Sequence, residues 1–395
     1  MAIDREAALS WYSRNRGRSR ALFDMLPEDV YYERPIDLRH PVVFYDGHLP
    51  GFSFNTLVKK ALGAPSIDVR LEAIFARGID PHEAQSRGSG DAAKAEWPDR
   101  DTVRAFVDEA DARVMDTLAN KPVGPEPVFT ILEHEAMHQE TLLYMWHRLP
   151  FDQKKRPAGY APVTGGAPPA QEWIEIPAGR ARLGVDTAAV PFAWDNEMPS
   201  YEVDVPAFAI QKHDVTNAQY LEYVDAGAPA PMFWEKVDGR WYWRGMFELI
   251  PLPLAWPVYV SQAEAVAYAQ WRGSRLPTEA EYQRAALDAA PGVCDFSSWD
   301  PEPAGSRPET RSRYGVEDLV GNGWEWTSTP FAPFPGFRPS VSYPEYSADF
   351  FDGEHVVLKG ASPATARELL RPTFRNWFRK RYPYVYATFR CAASV

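Results

Sequence analysis

The sequence predicts an α+β protein in two parts: an N-terminal four-helix bundle, then a loop-rich α+β domain. Three observations lead there. Apolar residues recur at helical intervals through most of the first part. A run rich in Pro and Gly follows residue 151 (Pro157, Gly159, Pro162, Gly165, Gly166, Pro168, Pro169) and reads as a linker. Beyond it the texture changes to short alternating pieces, many turns and a high density of Trp, Gly and Pro. At 395 residues the chain is too long for one ordinary core, so two domains are the default. The expected boundaries are 1–155 for the bundle, 156–171 for the linker and 172–395 for the second domain.

Each element has its own signal. Residues 7–26 carry an apolar stripe opposite many arginines. Residues 41–61 form a second helix candidate bearing His48. Residues 64–98, broken by glycines and prolines, are expected to be irregular. Residues 100–118 form a third helix, with Asp99 or Asp101 able to cap it. Residues 127–149 form the fourth, stopped by Pro150. In the second domain Trp173-Ile-Glu-Ile176 and Tyr201-Glu-Val-Asp-Val205 alternate like strands, and residues 217–224, 261–271 and 278–287 read as helices.

Composition narrows the function classes. The chain is 45% hydrophobic and 14% aromatic, enough for well-packed cores. A net charge of −12 argues against a general nucleic-acid binder. Cys294 and Cys391 are the only cysteines, so no disulfide scaffold exists, and a cytoplasmic protein is expected. No apolar run approaches the roughly 20 residues of a membrane span.

The segment carrying the chemistry is Ile131-Leu-Glu-His-Glu-Ala-Met-His-Gln-Glu140. On a helix His134 and His138 share one face, one turn apart, where a single metal ion can take both imidazoles. His48, on a neighbouring helix, is the natural third ligand. A set of three histidines leaves open positions on an octahedral metal. Helical spacing alone is also met by one surface and one core histidine. Glu135 sits where a zinc protease of the His-Glu-x-x-His class keeps its general base, but no third zinc ligand follows at a typical distance. His147, nine residues past His138, points roughly opposite and reads as structural or exposed. His40, beside Pro41, is a weak candidate to back a ligand.

Four motifs of the second part occur together and in order: Val215-Thr-Asn-Ala-Gln-Tyr220, Arg275-Leu-Pro-Thr-Glu-Ala-Glu-Tyr282, Asp318-Leu-Val-Gly-Asn-Gly-Trp-Glu-Trp-Thr327 and Thr388-Phe-Arg-Cys391. They resemble the sulfatase-modifying-factor (formylglycine-generating-enzyme-like) fold, a C-type-lectin-like α+β domain, over about 173–395. The first part resembles the DinB-like four-helix metal-binding bundle. In tandem the two resemble the ergothioneine sulfoxide synthase family, whose architecture selenoneine synthases share.

The resemblance implies Fe(II) on His48, His134 and His138. It implies O2-dependent coupling of a sulfur or selenium donor to the imidazole C2 of hercynine (Nα-trimethylhistidine). It further implies that Asn376 binds the hercynine carboxylate, that Trp377 and Phe378 offer aromatic faces to its quaternary ammonium, and that Tyr343 or Tyr346 is the proton donor. For Trp377 core packing is an equal reading of the residues alone, and for the tyrosines so is loop packing. The small-molecule partners would be hercynine, O2 and either a thiol or a selenosugar, with no nucleic acid and no membrane.

Three departures bear on the donor. Met137 stands where the best-known branch has a glutamine touching hercynine. Phe378 stands where it has an aspartate for the donor's α-amino group. Of an arginine pair that grips the donor's carboxylates, Arg87 is present and Gly90 replaces its partner. A donor with two carboxylates and an ammonium would lack charge partners here. A selenosugar is favoured, with cysteine close behind, its carboxylate going to Arg100 or Arg104. Rival functions are a formylglycine-generating oxidase, which needs a pair of nearby reactive cysteines, a DinB-type thiol-dependent zinc transferase, and a non-catalytic lectin-like binder.

Overall fold

The structure is a computed structural model and describes residues 4–76, 97–186 and 188–395. The chain divides into two compact units. The first comprises Met1–Ala158 together with Val341–Tyr343, and the second Gly159–Ser340 with Pro344–Val395.

In the first unit, α1 (Arg5–Asp24) is capped by Asp4, whose side chain accepts from the Ala7 amide at 3.1 Å. The next helix, α2 (Val42–Ser53), bears His48 and contains Pro50. Pro50 has no N–H for the preceding turn, and beyond Ser53 the chain continues as a π-helix over Phe54–Lys60. The single α-helix expected over 41–61 is therefore two kinds of helix in series. A short α3 (Val69–Ile74), capped by Asp68, occupies part of the stretch expected to be irregular. The cap of α4 (Arg100–Asn120) is Asp99, which accepts from Thr102 N at 2.8 Å. Last comes α5 (Pro125–Trp146), which starts with Pro at its first position, where no intrahelical donor is needed.

Helices α1 and α2 each pack on both α4 and α5. Their core holds Tyr12, Phe52, Phe54, Leu57, Val114 and Ile131. Tyr343, from the three-residue segment that joins this unit, packs against the same cluster. Beside the core lies a buried ionic group. The Arg16 guanidinium donates to Asp111 at 2.9 Å and to Glu135 at 2.8 Å, while the Tyr12 hydroxyl donates to Asp111 at 2.7 Å. No described helix is long and apolar enough to cross a membrane.

The second unit is built of short strands. Both strands read from alternation are present, as β1 (Trp173–Ile176) and β3 (Tyr201–Val205). Between and after them come β2 (Gly179–Leu183) and β4 (Phe208–Gln211), then β5 (Trp234–Val237), β6 (Arg240–Arg244) and β7 (Leu249–Pro251). The remainder are β8 (Gly323–Pro330), β9 (His355–Ala361), β10 (Asn376–Arg379), β11 (Ala387–Thr388) and β12 (Ala392–Ser394). Among the described residues the sheets are ordered β1-β4-β12, β10-β9-β8-β11, β2-β3 and β5-β6-β7.

Sequence patterning missed most of these strands. The central pair β8 and β9 is buried along most of both strands, so polar/apolar alternation is absent. The helices α6 (Asn217–Asp225), α7 (Gln262–Trp271) and α8 (Glu279–Ala285) lie where expected, each opened by a Thr or Ser in a capping box. Such a cap contributes about 1 kcal/mol.

Two of the four motifs meet in a buried ion pair. Arg390 and Glu325 are both fully buried and joined at 2.7 Å, and Arg390 also reaches Asp214 at 3.1 Å. The segment leading into β10 is held from three sides. Arg371 and Thr373 donate to Glu197, Arg375 donates to Glu279 at 2.8 Å, and buried Lys359 donates to the carbonyls of Pro372 and Phe374.

Candidate metal centre

His134 and His138 project from one face of α5, and His48 projects from α2. Their ring centroids lie 4.4 Å (His134–His138), 5.2 Å (His48–His134) and 5.0 Å (His48–His138) apart. One nitrogen from each lies within 4.8 Å of the others, close enough to hold one metal ion. All three are buried, at 2%, 3% and 8% exposure.

The donor set fits a metal. Burial, against the opposing hydrogen bond to the Phe75 carbonyl, pushes His48 down to about 4, and burial plus the neighbouring histidines pushes His134 well below the ordinary value. Burial, His48 and Arg39 do the same to His138. The rings are therefore neutral at physiological pH, the form that ligates. His48 Nε2, His134 Nδ1 and His138 Nδ1 are buried without a hydrogen-bond partner. Buried polar atoms left so are rare and call for an explanation, an ion among them.

Aromatic rings orient the imidazoles. His134 lies flat on Phe52 at 3.5 Å and 11°. His48 stacks on Phe44 at 4.9 Å, and Phe44 on His40 at 4.0 Å. His40 thus backs a member of the group through Phe44. The Nδ1 of His48 bonds the main-chain carbonyl of Phe75 at 2.7 Å.

Sequence reasoning missed Phe52, Phe44 and Phe75. Positions 40, 44, 48 and 52 are spaced by four, and that stripe was visible. The carbonyl of Phe75 has no side-chain signature.

Glu135 does not face the histidines. Its Oε1 accepts from Arg16 at 2.8 Å and from Ser19 at 2.7 Å. The position of a zinc-protease base is thereby committed to an ion pair. Gln139 likewise turns to α1, donating to Asn15 O at 2.9 Å. His147 is buried at the C-terminal cap of α5, the structural of its two expected placements. His213 and His355 pair with Glu317 and Asp352.

The other expected site residues divide by unit. Tyr343 belongs to the first unit, its ring 6.2 Å from His134 and 5.1 Å from Phe52. Tyr346 belongs to the second, stacked on Trp194 at 3.9 Å and edge-on to Trp377 at 5.0 Å. Trp377 stacks on Phe331 at 4.4 Å and Phe378 on Tyr382 at 5.2 Å. Asn376 accepts from its neighbour's amide, Trp377 N, at 2.9 Å, leaving its Nδ2 as a donor.

Arg100 and Arg104 are not brought to the histidines. They line a separate concavity with Arg16, Arg20, Asp24, Asp46 and Asp108. Arg100 there lies over Tyr31 at 5.1 Å and 3.9 Å from Glu28. Arg87 and Gly90 lie outside the described residues. Cys294 and Cys391 are both free and buried, and burial pushes each thiol up to about 11. Reactive cysteines have lowered values and exposed sulfur, so neither suits formylglycine chemistry.

Comparison with known proteins identifies the second part of the chain. Residues 161–294 and 289–395 match the sulfatase-modifying factor enzyme 1-like domain. The chain is 34% identical to a hercynine oxygenase of Mycolicibacterium smegmatis, over 74% of this chain and 78% of that protein. It is 30% identical to ergothioneine biosynthesis protein 1 of Schizosaccharomyces pombe, over 92% of this chain and 53% of that protein. A formylglycine-generating enzyme of Mycobacterium tuberculosis is 27% identical but matches only 56% of this chain. With the sulfatase-modifying-factor domain matched and a hercynine oxygenase 34% identical over 74% of the chain, the chain belongs to the ergothioneine sulfoxide synthase family, that of the hercynine oxygenases.

Proposed function

We propose that this protein is a non-heme Fe(II)- and O2-dependent enzyme that joins a selenium or sulfur donor to the imidazole C2 of hercynine. The observation carrying the reading is the group of three buried, neutral imidazoles, each of which brings one ring nitrogen to within 4.8 Å of the others. Neutral imidazole suits iron, zinc, copper and nickel alike. Membership among hercynine oxygenases favours a redox-active metal over zinc, because a metal that activates O2 must change oxidation state, and we take that metal to be iron. We further assign the helical first unit to the DinB-like class on the strength of that group.

When bound, iron supplies open positions for a soft donor and for O2. The protein's own groups then have distinct tasks. His48, His134 and His138 hold the metal, their rings fixed by Phe44, Phe52 and the Phe75 carbonyl. Tyr343, beside His134, holds the transferable proton on its hydroxyl. Tyr346, buried under Trp194, orients rather than transfers. Asn376 offers its Nδ2–H to the hercynine carboxylate, and Trp377 offers a ring face to the quaternary ammonium. For a thiol donor the balance is one C2–H, one S–H and one O2 giving a C2-linked sulfoxide and water.

For the donor, we favour a selenosugar. The parallel pair Phe378–Tyr382 at 5.2 Å and 12° gives an aromatic platform of the kind sugars use, at the position where a charged donor would need a carboxylate. Cysteine is the second reading; the placement of Arg100 and Arg104 on the separate concavity does not favour it.

The test is anaerobic Fe(II) loading, then O2 with hercynine and each donor in parallel: a 1-selenosugar, its thio analogue, cysteine and γ-glutamylcysteine. A selenium-containing adduct by mass spectrometry supports the reading. A cysteine adduct alone makes the protein an ergothioneine-pathway enzyme. No adduct with any donor, despite bound iron, refutes the hercynine assignment.

A further inference from the structure

Gly47 and Phe75 form a knob and slot directly behind one member of the histidine group. Gly47 precedes His48 in the interior of α2, where glycine costs about 1 kcal/mol relative to alanine. Its φ is helical, so no backbone strain calls for glycine there. What fills the space is the ring of Phe75. A Cβ on Gly47 would lie 2.5 Å from both Cε2 and Cζ of that ring. The ring cannot simply swing aside. It is 1% exposed and packed against Trp97 at 6.3 Å, Phe106 at 5.8 Å and Phe44 at 6.3 Å.

The main chain of Phe75 uses this placement. Phe75 is the C-terminal cap of α3, and its N–H bonds back to Leu71 O. Carbonyls at a helix end have no intrahelical donor. That of Phe75 takes its hydrogen bond from His48 Nδ1 at 2.7 Å. One ring nitrogen of His48 is thereby engaged, and only Nε2 remains, buried and without a hydrogen-bond partner. Which imidazole nitrogen is free to ligate is set by the bond the other one makes.

We infer that Phe75 is a positioning residue for the metal centre: seated in the slot left by Gly47, its main-chain carbonyl fixes His48 as an Nε2 ligand. The inference rests on the metal reading proposed above and extends it to two residues that touch neither metal nor substrate.

Two measurements test it. The first needs no variant. In the metal-free protein at neutral pH, 15N-histidine NMR is expected to show His48 as the Nδ1–H tautomer; an Nε2–H tautomer overturns the inference. The second is Co(II) binding followed by its d–d spectrum. Gly47→Ala is expected to bind Co(II) about 10–100-fold more weakly, as loss of a ligand's outer partner does, and with a shifted spectrum. Gly47→Ala/Phe75→Val, which removes the clashing ring atoms, is expected to recover part of the affinity. A purely structural role would lower the melting temperature of the metal-free variant and leave affinity and spectrum as in the wild type, and that result overturns the inference. If wild-type and His134→Ala proteins bind Co(II) equally, the metal reading itself fails. The tautomer measurement then still judges the Phe75 bond alone. Should Gly47→Ala not fold, the tautomer decides.

Discussion

The guanidinium of Arg16 donates to Glu135 at 2.8 Å, and it draws the carboxylate that follows His134 away from the histidine group and into the packing of α1 against α5. In a zinc protease that carboxylate would activate water. Here burial pushes it up, opposed by Arg16 and Ser19, and it serves the helix packing.

Glu135→Gln is accordingly expected to keep metal binding within a fewfold of wild type and to lose about 1–3 kcal/mol of stability, through a weakened buried hydrogen bond. Arg16→Met, which leaves buried Glu135 with Ser19 alone and Asp111 with Tyr12 and the more exposed Arg20, is expected to cost about 3–5 kcal/mol. Urea denaturation and metal stoichiometry check both. Loss of turnover with intact metal and substrate binding in Glu135→Gln would restore the base role.

The histidine group makes the metal-free protein acid-sensitive. Histidine in the unfolded chain titrates near 6.5, whereas His48 is pushed down to about 4 and the other two well below the ordinary value. The folded state therefore binds fewer protons than the unfolded state below about pH 6.5. Stability from this source is fully present above that pH and lost as the pH falls toward 4. Thermal melts from pH 7.5 to 4.5 are expected to show the decline, and it should be smaller in a His134→Phe variant. An equal decline in that variant would assign the acid sensitivity elsewhere.

Tyr343 and Tyr346 are three residues apart in sequence but belong to different units, Tyr343 with His134 and Tyr346 with Trp194. Tyr343→Phe is expected to lower kcat about 10²–10⁴-fold, the range of a general acid or base, with little change in substrate affinity. Tyr346→Phe, which keeps the stacked ring, is expected to change kcat less than tenfold. Steady-state product formation under Fe(II) separates them, and the reverse ranking would exchange their roles.

Arg375 stands immediately before Asn376 and Trp377, and its ion pair with Glu279 is 2% exposed on both sides. Removing one partner leaves the other charge buried, so Glu279→Leu is expected to destabilise the fold by about 3–5 kcal/mol. At temperatures where the variant stays folded, its KM for hercynine is expected to rise more than its kcat falls. An unchanged KM would show that this pair does not shape the Asn376 segment.

Much of the first unit was legible because its helices are amphipathic and its caps are local: Asp99 can be read from a few neighbouring residues, whereas the helix expected to run to 149 ends at Trp146. The switch to a π-helix after Ser53 was not, since it depends on how Pro50 is accommodated within a packed helix. In the second unit, helices announced by Thr216, Ser261 and Thr278 were found. The strands β8 and β9 were not, because burial along most of their length erases the period of two. Spacing made the pair His134 and His138 legible, and His48 entered as a candidate on a neighbouring helix; their supports were only half legible. The stripe His40, Phe44, His48, Phe52 follows the helical period, but the contact of Phe52 with His134 and the carbonyl of Phe75 arise from tertiary packing.

The most direct test of the central claim follows the hydrogen at the carbon where the new bond forms. Hercynine deuterated at imidazole C2 is mixed with the anaerobic Fe(II)-loaded protein and a selenosugar or thiol donor. O2 is then admitted for a single turnover, and the product is analysed by mass spectrometry beside a His138→Ala control. The expected product is an adduct that has lost the C2 deuterium, formed by the wild-type protein and absent from the control. An adduct that retains the label, or equal turnover without His138, would contradict it.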